Sequence, residues 1–92
     1  MERFSTRKVD ELGRIVLHSE LRKKLGLEAG SNVTLTVIDS IVIVQRTDAG
    51  GIRVCQIGRI TIPDEIRQKF AWVAGSAVAV YHTDNLLILK TP

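Results

Sequence analysis

Alternation of apolar and polar residues over 33–37 predicts a half-buried strand, because the side chains of a strand point in turn to its two faces. A turn at 39–40 separates it from a continuous apolar run at 41–44. That run predicts a strand buried on both faces, and the two strands together predict a β-hairpin.

A different period precedes the hairpin. Leu21 and Leu25 lie four residues apart and predict the buried stripe of a short helix over 20–25, with Ser19 as its N-cap and Gly26 as its stop. Short strands are expected at 8–9 and 14–17, on either side of Gly13, while residues 1–6 are expected to form a loose leader. A helix of barely two turns is not stable alone, so it must pack on the strands.

The same order recurs forty-five residues later, where Gly58-Arg59-Ile60 repeats Gly13-Arg14-Ile15 and about a third of the aligned positions are identical. Asp64, just after Pro63, is the expected N-cap of a second helix. Half of the chain is near the size at which folding alone becomes marginal. The repeats must therefore close on each other or associate with a second chain.

This pattern predicts one domain over 1–92, built from a first repeat at 7–47 and a second at 52–91. A small, polar linker at 48–51 joins them.

Charge adds a preference for polyanions. The net charge is +3, and the segment from Arg3 to Lys24 contains seven basic side chains and only three acidic ones. Such clustering on a small domain suits nucleic acid. An ordinary solvated surface explains the charge about equally well.

Several classes of function find no support in the residues. The one cysteine, Cys55, is expected to be a small inert strand residue, and no metal or cofactor is predicted. Asp10, His18 and Ser19 lack the nucleophile elbow and oxyanion motif of a hydrolase, so no enzyme is predicted. Without a signal peptide or a membrane-length apolar run, the chain is expected in the cytoplasm and not at a membrane.

The segment Arg7–Leu17, followed by Glu20–Lys23, closely resembles the DNA-binding domain of the AbrB/MazE/SpoVT family, and 58–67 resembles it again. The resemblance implies a mainly β fold with two short helices. In that fold, two β-β-α-β-β repeats interleave their hairpins into a swapped-hairpin barrel. The family normally builds the barrel from two identical chains. One chain can supply both halves here, as in the similar MraZ proteins.

The resemblance implies a nucleoid-associated transcriptional regulator that binds double-stranded DNA by sequence or by shape. Carried over by position, the DNA-binding residues are Arg7, Lys8, Arg14, Arg22 and Lys23 in the first repeat and Arg53, Arg59 and Arg67 in the second. Lys24 and Lys69 are added because they are equivalent between the repeats. Ile52 and Gln68 replace basic residues in the second repeat, so the first repeat is expected to contribute more charge.

Each of these assignments has an alternative. Arg14 and Arg59 can instead pair with Asp10, Glu11 or a helix carboxylate, and Arg22 and Arg67 can form salt bridges at an interface. Lys23 and Lys24 can simply solvate a helix.

Two other functions compete with transcriptional regulation. An antitoxin would bind a toxin protein and its own promoter, but such proteins usually extend past the barrel in an acidic segment, and this sequence ends at 89–92. A toxin partner is therefore not expected. A structural oligomerisation module is the third possibility. Assembly as a homodimer or higher oligomer is left open.

Overall fold

Eight short strands and two helices form the computed structural model, which describes residues 2–92 and the side chains from residue 5 onward. In chain order the strands are β1 (Glu2–Lys8), β2 (Arg14–Val16), β3 (Asn32–Ile38), β4 (Ile41–Thr47), β5 (Ile52–Arg53), β6 (Arg59–Thr61), β7 (Ala77–His82) and β8 (Leu87–Lys90). Helix α1 (Ser19–Leu25) follows β2, and α2 (Asp64–Phe70) follows β6. The predicted mainly β fold with two short helices is confirmed.

The strands form two antiparallel sheets in which the two halves of the chain are interleaved. The larger sheet has the order β1-β7-β8-β4-β3-β5 and curls into a half-barrel. Its first strand, β1, pairs with the second hairpin through β7, while β5 pairs with the first hairpin through β3. Strands β4 and β8 join the two hairpins. Strands β2 and β6 pair separately.

A single apolar core lies between these sheets and the helices. Its members share almost complete burial and come from both halves: Val9, Ile15, Leu17, Leu21, Leu27, Val33, Val42, Val44, Val54, Ile60, Ile62, Ile66, Trp72, Val78, Val80, Leu87 and Leu89. Trp72 stacks on Phe70 with ring centroids 4.7 Å apart, and its Nε1 donates to the Thr91 hydroxyl at 3.0 Å. Trp72 is thus a core residue.

Both helices begin one residue away from the prediction. In α1 the N-cap is His18, whose Nδ1 accepts from the amide of Glu20, and Ser19 is already helical. In α2 the N-cap is Pro63, and Asp64 is the first helical residue. The two caps have similar dihedral angles, φ −60° and ψ 138° at His18 and φ −54° and ψ 146° at Pro63, and the helical conformation begins at the next residue in both. Gly26 ends α1 in the left-handed region, as predicted.

Two further predictions were wrong. Residues 2–8 form strand β1 instead of a loose leader; Met1 lies outside the described residues. The sequence could not reveal this, because the partner edge belongs to β7, some seventy residues away. In the run at 41–44, Val42 and Val44 are buried, but Ile41 and Ile43 are only half-buried, since they point to the other face of the sheet.

Candidate nucleic-acid interface

Strands β2 and β6 form a two-stranded antiparallel ribbon. Ile15 and Ile60 pair at its centre, and their side chains are 1% and 0% exposed. Side chains alternate between the two faces of a strand, so the flanking positions Arg14, Val16, Arg59 and Thr61 share the opposite, outer face. Arg14 lies opposite Thr61 and Arg59 opposite Val16, which makes the two arginines diagonal neighbours, about 7–8 Å apart.

A tight turn leads into each strand of the ribbon. The amide of Gly13 donates to the Asp10 carbonyl at 3.1 Å, and the amide of Gly58 donates to the Cys55 carbonyl at 2.9 Å. The residue before each glycine, Leu12 or Ile57, is more than half exposed. The two turns therefore present apolar side chains to solvent beside the arginines of the ribbon.

In the first turn, the Asp10 carboxylate organises the backbone and holds Arg14. Its Oδ1 accepts from the amides of Leu12 and Arg14, both at 2.9 Å, and its Oδ2 accepts from Arg14 Nε at 2.8 Å. These donors, the Arg14 amide foremost, hold the pKa of Asp10 below its usual value. Arg14 is thus ion-paired, which is one of the two roles that the sequence left open.

In the second turn, Cys55 stands where Asp10 stands in the first. Its Sγ accepts from the amide of Arg59 at 3.3 Å, and this donor is the main reason that the pKa of the Cys55 thiol is lowered. Cys55 is therefore a turn residue with a defined acceptor role, and the expectation of an inert strand residue was wrong. Within residues 5–92, no carboxylate side chain forms an ion pair with Arg59.

The charge around the ribbon is asymmetric in an unexpected direction. The first turn carries Asp10 and Glu11 beside Arg14, whereas the second carries Cys55 and Gln56 beside Arg59. The first repeat, 7–47, has seven basic side chains and the second, 52–91, has five, but the net charge of each repeat is +2. At the ribbon itself, the second half has the more positive surroundings.

Arg22 and Arg67 are both bound within the protein. Arg22 Nε donates to the carbonyl of Leu17 at 3.1 Å, and Arg67 Nε donates to the carbonyl of Ile62 at 2.8 Å. Each guanidinium also covers the turn glycine of the opposite half. A Cβ added at Gly58 would lie 2.6 Å from Arg22 Cζ, and one at Gly13 would lie 2.5 Å from Arg67 Cζ.

We call the contact of each arginine with the turn glycine of the other half the crossed packing. It combines a hydrogen bond to a carbonyl with filling of the space beside the glycine. Arg67 is further ion-paired with Asp64, and its side chain is largely buried. Within residues 5–92, Arg67 forms a salt bridge inside its own helix and Arg22 forms none, so the interface salt bridges that the sequence offered as an alternative are not seen. DNA contact by Arg22 or Arg67 remains a prediction.

The remaining predicted residues lie around the ribbon and on the helices. Lys8 ends β1, Arg53 ends β5, and both are exposed just before the turns. Arg7 is half-buried, and its Nε finds no hydrogen-bond partner in the described part of the chain. The exposed lysines on the last turns of the helices are Lys23, Lys24 and Lys69.

Sequence reasoning did not include the uncharged members of this surface: Leu12, Val16, Ile57 and Thr61. Alternation around the central isoleucines was a signal that could have placed Val16 and Thr61 on the face of the arginines. The tips of the two turns had no such signal, because their exposure follows from the turn geometry.

One comparison with known proteins identifies the family. Residues 6–54 match the family described as antidote-toxin recognition MazE, bacterial antitoxin. The chain belongs to the MazE antitoxin family. The match runs from β1 through both strands of the first hairpin to just past β5. Neither the curated proteins nor the solved structures yield a match.

Membership in the MazE antitoxin family establishes the general class of the protein. Its members are DNA-binding regulators or antitoxins, not enzymes. In the described part of the chain, no helix has the length and apolar character needed to cross a membrane.

Replacing Gly13 with alanine tests the crossed packing. The added Cβ would clash with the Arg67 guanidinium, and the backbone at Gly13 has a φ of 76°, which strains an L-residue. The two effects together should lower the free energy of unfolding by about 2–4 kcal/mol in urea denaturation.

Gly30→Ala is the matched control. Gly30 also has a positive φ, of 90°, but no atom lies within 4 Å of its added Cβ. The free energy of unfolding of Gly30→Ala should fall only by the cost of backbone strain, about 1–2 kcal/mol. An equal loss in both variants would show that the arginine contact is unimportant.

The Asp10 turn predicts a pH dependence of stability. Because the pKa of Asp10 is lower in the folded chain than in the unfolded chain, its contribution is complete above the unfolded-state value. That contribution is lost as the pH falls through the folded-state value. Unfolding measured from pH 7 down to pH 2 should show wild type losing more stability than Asp10→Asn. Parallel pH profiles would contradict the prediction.

Proposed function

We propose that this chain is a transcriptional regulator that inserts the β2–β6 ribbon into the major groove of double-stranded DNA. The observation that supports it most is the presence of Arg14 and Arg59 on one outer face of a two-stranded ribbon. The major groove of B-DNA is wide enough to admit such a ribbon, and it displays a distinct pattern of donors and acceptors for each base pair.

The two arginines have different roles in this proposal. Within residues 5–92 no carboxylate pairs with Arg59, so its whole guanidinium is available for a guanine edge or a phosphate. Arg14 uses Nε on Asp10, which orients the side chain and leaves its terminal nitrogens for DNA. Arg59 is therefore the stronger contact, and Arg14 is the more rigid one.

The other exposed basic residues supply phosphate contacts. Lys8 and Arg53 flank the turns, and Lys23, Lys24 and Lys69 extend the charge along the helices. Phosphate contacts position a protein and make its affinity depend on salt, whereas base contacts specify the sequence. If about six such contacts form, affinity should fall about a thousandfold between 50 and 200 mM salt.

We propose that 1–92 form one domain from two tandem repeats, 7–47 and 52–91, with a linker at 48–51. Matched hydrogen bonds across the ribbon support this organisation: Leu17 donates to Gly58 and Ile62 donates to Gly13, both at 2.8 Å. Each repeat then contributes one arginine to a shared DNA surface. In this arrangement Arg22 and Arg67 are positioning residues, because each holds the turn of the other repeat.

An antitoxin role is the second candidate, and the description of the matched family favours it. An antitoxin binds both a toxin protein and its own promoter, so the DNA surface would serve either function. Stoichiometric co-purification of a ribonuclease with the full chain would establish this candidate. A chain that regulates transcription alone would bind duplex DNA without such a partner.

Alanine substitution of Arg59 should weaken binding to a pool of random-sequence duplexes by about tenfold or more, since a hydrogen bond to a charged group is lost. If Arg59 contacts phosphate, the slope of log affinity against log salt should also fall by about one. Gel shifts at several salt concentrations measure both quantities, and circular dichroism checks the fold.

Lys90→Ala is the control, because Lys90 is an exposed cation at the end of β8, in the larger sheet. It should change the affinity less than twofold. Equal losses at Arg59 and Lys90 would show that the net charge matters and the ribbon does not.

Cys55→Asp should convert the second turn into a copy of the first. The new carboxylate can accept from the Arg59 amide, as Asp10 accepts from Arg14, so the free energy of unfolding should rise by about 1 kcal/mol. The same carboxylate should engage the Arg59 side chain and weaken duplex binding.

Cys55→Ser serves as the comparison, because it keeps a neutral acceptor in the turn. It should leave DNA affinity nearly unchanged. Tighter DNA binding by Cys55→Asp than by Cys55→Ser would refute the role assigned to Arg59.

A further inference from the structure

The edge of β3 is paired along only part of its length. Strand β5 pairs with Asn32 and Val33 alone, and within residues 2–92 no strand pairs with β3 on that side from Thr34 to Ile38. Backbone groups of alternate residues point to the same edge of a strand. Ser31 accepts from Val54 across this edge, so the N–H and C=O groups of Leu35 and Val37 also point to it.

The corresponding edge in the other half of the molecule is covered. Strand β7 occupies the place of β3 in the second hairpin, and β1 pairs with it from Ala77 to His82. The effect on burial is direct. Val80 is 1% exposed, whereas Leu35, at the equivalent position of β3, is only half-buried.

The chain itself leaves the β3 edge open. Gly50 and Gly51 both adopt positive φ, and an added Cβ at Gly51 would overlap the Val33 carbonyl oxygen. The connection from β4 therefore crosses tightly over the end of the sheet at Val33. It does not run along β3 as β1 runs along β7.

The composition of the open edge is unusual for an exposed strand. From Asn32 to Ile38 the strand carries no charge, and Ile38 is about half exposed at its end. Natural edge strands are normally protected by charges, bulges or a cover. Strand β1, at the opposite edge, has such protection: it carries charged residues, including Arg7 and Lys8, and a break in register between Arg3 and Ser5.

We infer that the β3 edge binds the β3 edge of a second copy of this chain, in an antiparallel pair around a two-fold axis at Thr36. In this register Leu35 of each copy pairs with Val37 of the other. The backbone N–H and C=O groups of these residues then form hydrogen bonds between the two chains. Thr36 then faces Thr36 of the second copy, and the half-buried inner side chains of the two sheets meet.

A second copy fits this edge better than a charged or helical partner. The strand is self-complementary, because an uncharged β3 meets an identical strand without charge repulsion. The pairing also continues the six-stranded sheet of each chain across the axis, which removes the unprotected edge from both at once. The interface uses no residue of the β2–β6 ribbon, so the inference is independent of the proposed DNA contact.

Sedimentation velocity of the full chain without DNA, from low to high micromolar concentration, tests the inference. Wild type should show a monomer–dimer equilibrium. Thr36→Lys places two like charges directly opposite each other at the axis and should raise the dissociation constant about fivefold or more. Gln45→Lys is the matched control, since Gln45 is exposed on β4, beside Thr34 but one strand away from the edge.

Mixing Thr36→Lys with Thr36→Glu should restore a dimer at least as stable as the wild type, because the opposite charges then face each other. This rescue separates a direct contact from a general loss of folding, which circular dichroism also checks. A wild type that stays monomeric throughout would overturn the inference. So would a dimer that is equally weakened by Gln45→Lys, or one that Thr36→Lys leaves unchanged.

Discussion

The two halves of this molecule depend on a crossed contact between an arginine and a glycine. Arg22 and Arg67 are each held by a carbonyl of their own half, and each covers the turn glycine of the other half. The guanidinium occupies the space that a Cβ would need, so a larger residue at either glycine would push the arginine side chain away. The contact therefore links the two turns, and through them the two strands of the ribbon.

Within that shared geometry, a single acceptor changes the electrostatics. Asp10 and Cys55 occupy the same place and accept the same backbone hydrogen bond, so the two turns have the same shape. The carboxylate, however, also binds the side chain of its arginine, whereas no carboxylate within residues 5–92 pairs with Arg59. Two turns of the same backbone shape thus surround Arg14 and Arg59 with different charges on one surface. This difference lies at the centre of the proposed DNA contact, because an unpaired arginine requires no intramolecular bond to be broken on binding.

The larger sheet also contains two similar halves that differ in one feature, the strand that pairs with each hairpin. Its two hairpins are placed alike, but only β7 receives a full-length partner from β1, while the glycine-rich connection turns away from β3. Burial follows this pairing, which is why equivalent apolar residues on β3 and β7 differ in exposure. A strand edge without charge or cover is a template for further strand pairing. The proposed DNA contact and the proposed self-association therefore use separate surfaces of the chain.

The sequence by itself determined most of the local elements and the residue types that surround the ribbon. Period-two alternation at 33–37, the leucine spacing of α1 and the Gly-Arg steps each depend on neighbours a few residues apart, and these predictions match the structure. Strand β1 was mispredicted because its partner β7 lies some seventy residues away, whereas the helix starts and the role of Cys55 were mispredicted although Glu20 and Arg59, the partners of His18 and Cys55, are near in sequence. Only the tertiary structure decided that Arg22 and Arg67 cover the turn glycines of the opposite half, and that no strand within residues 2–92 pairs with β3 beyond Val33. Both depend on which strands lie side by side, and no local period in the sequence encodes that.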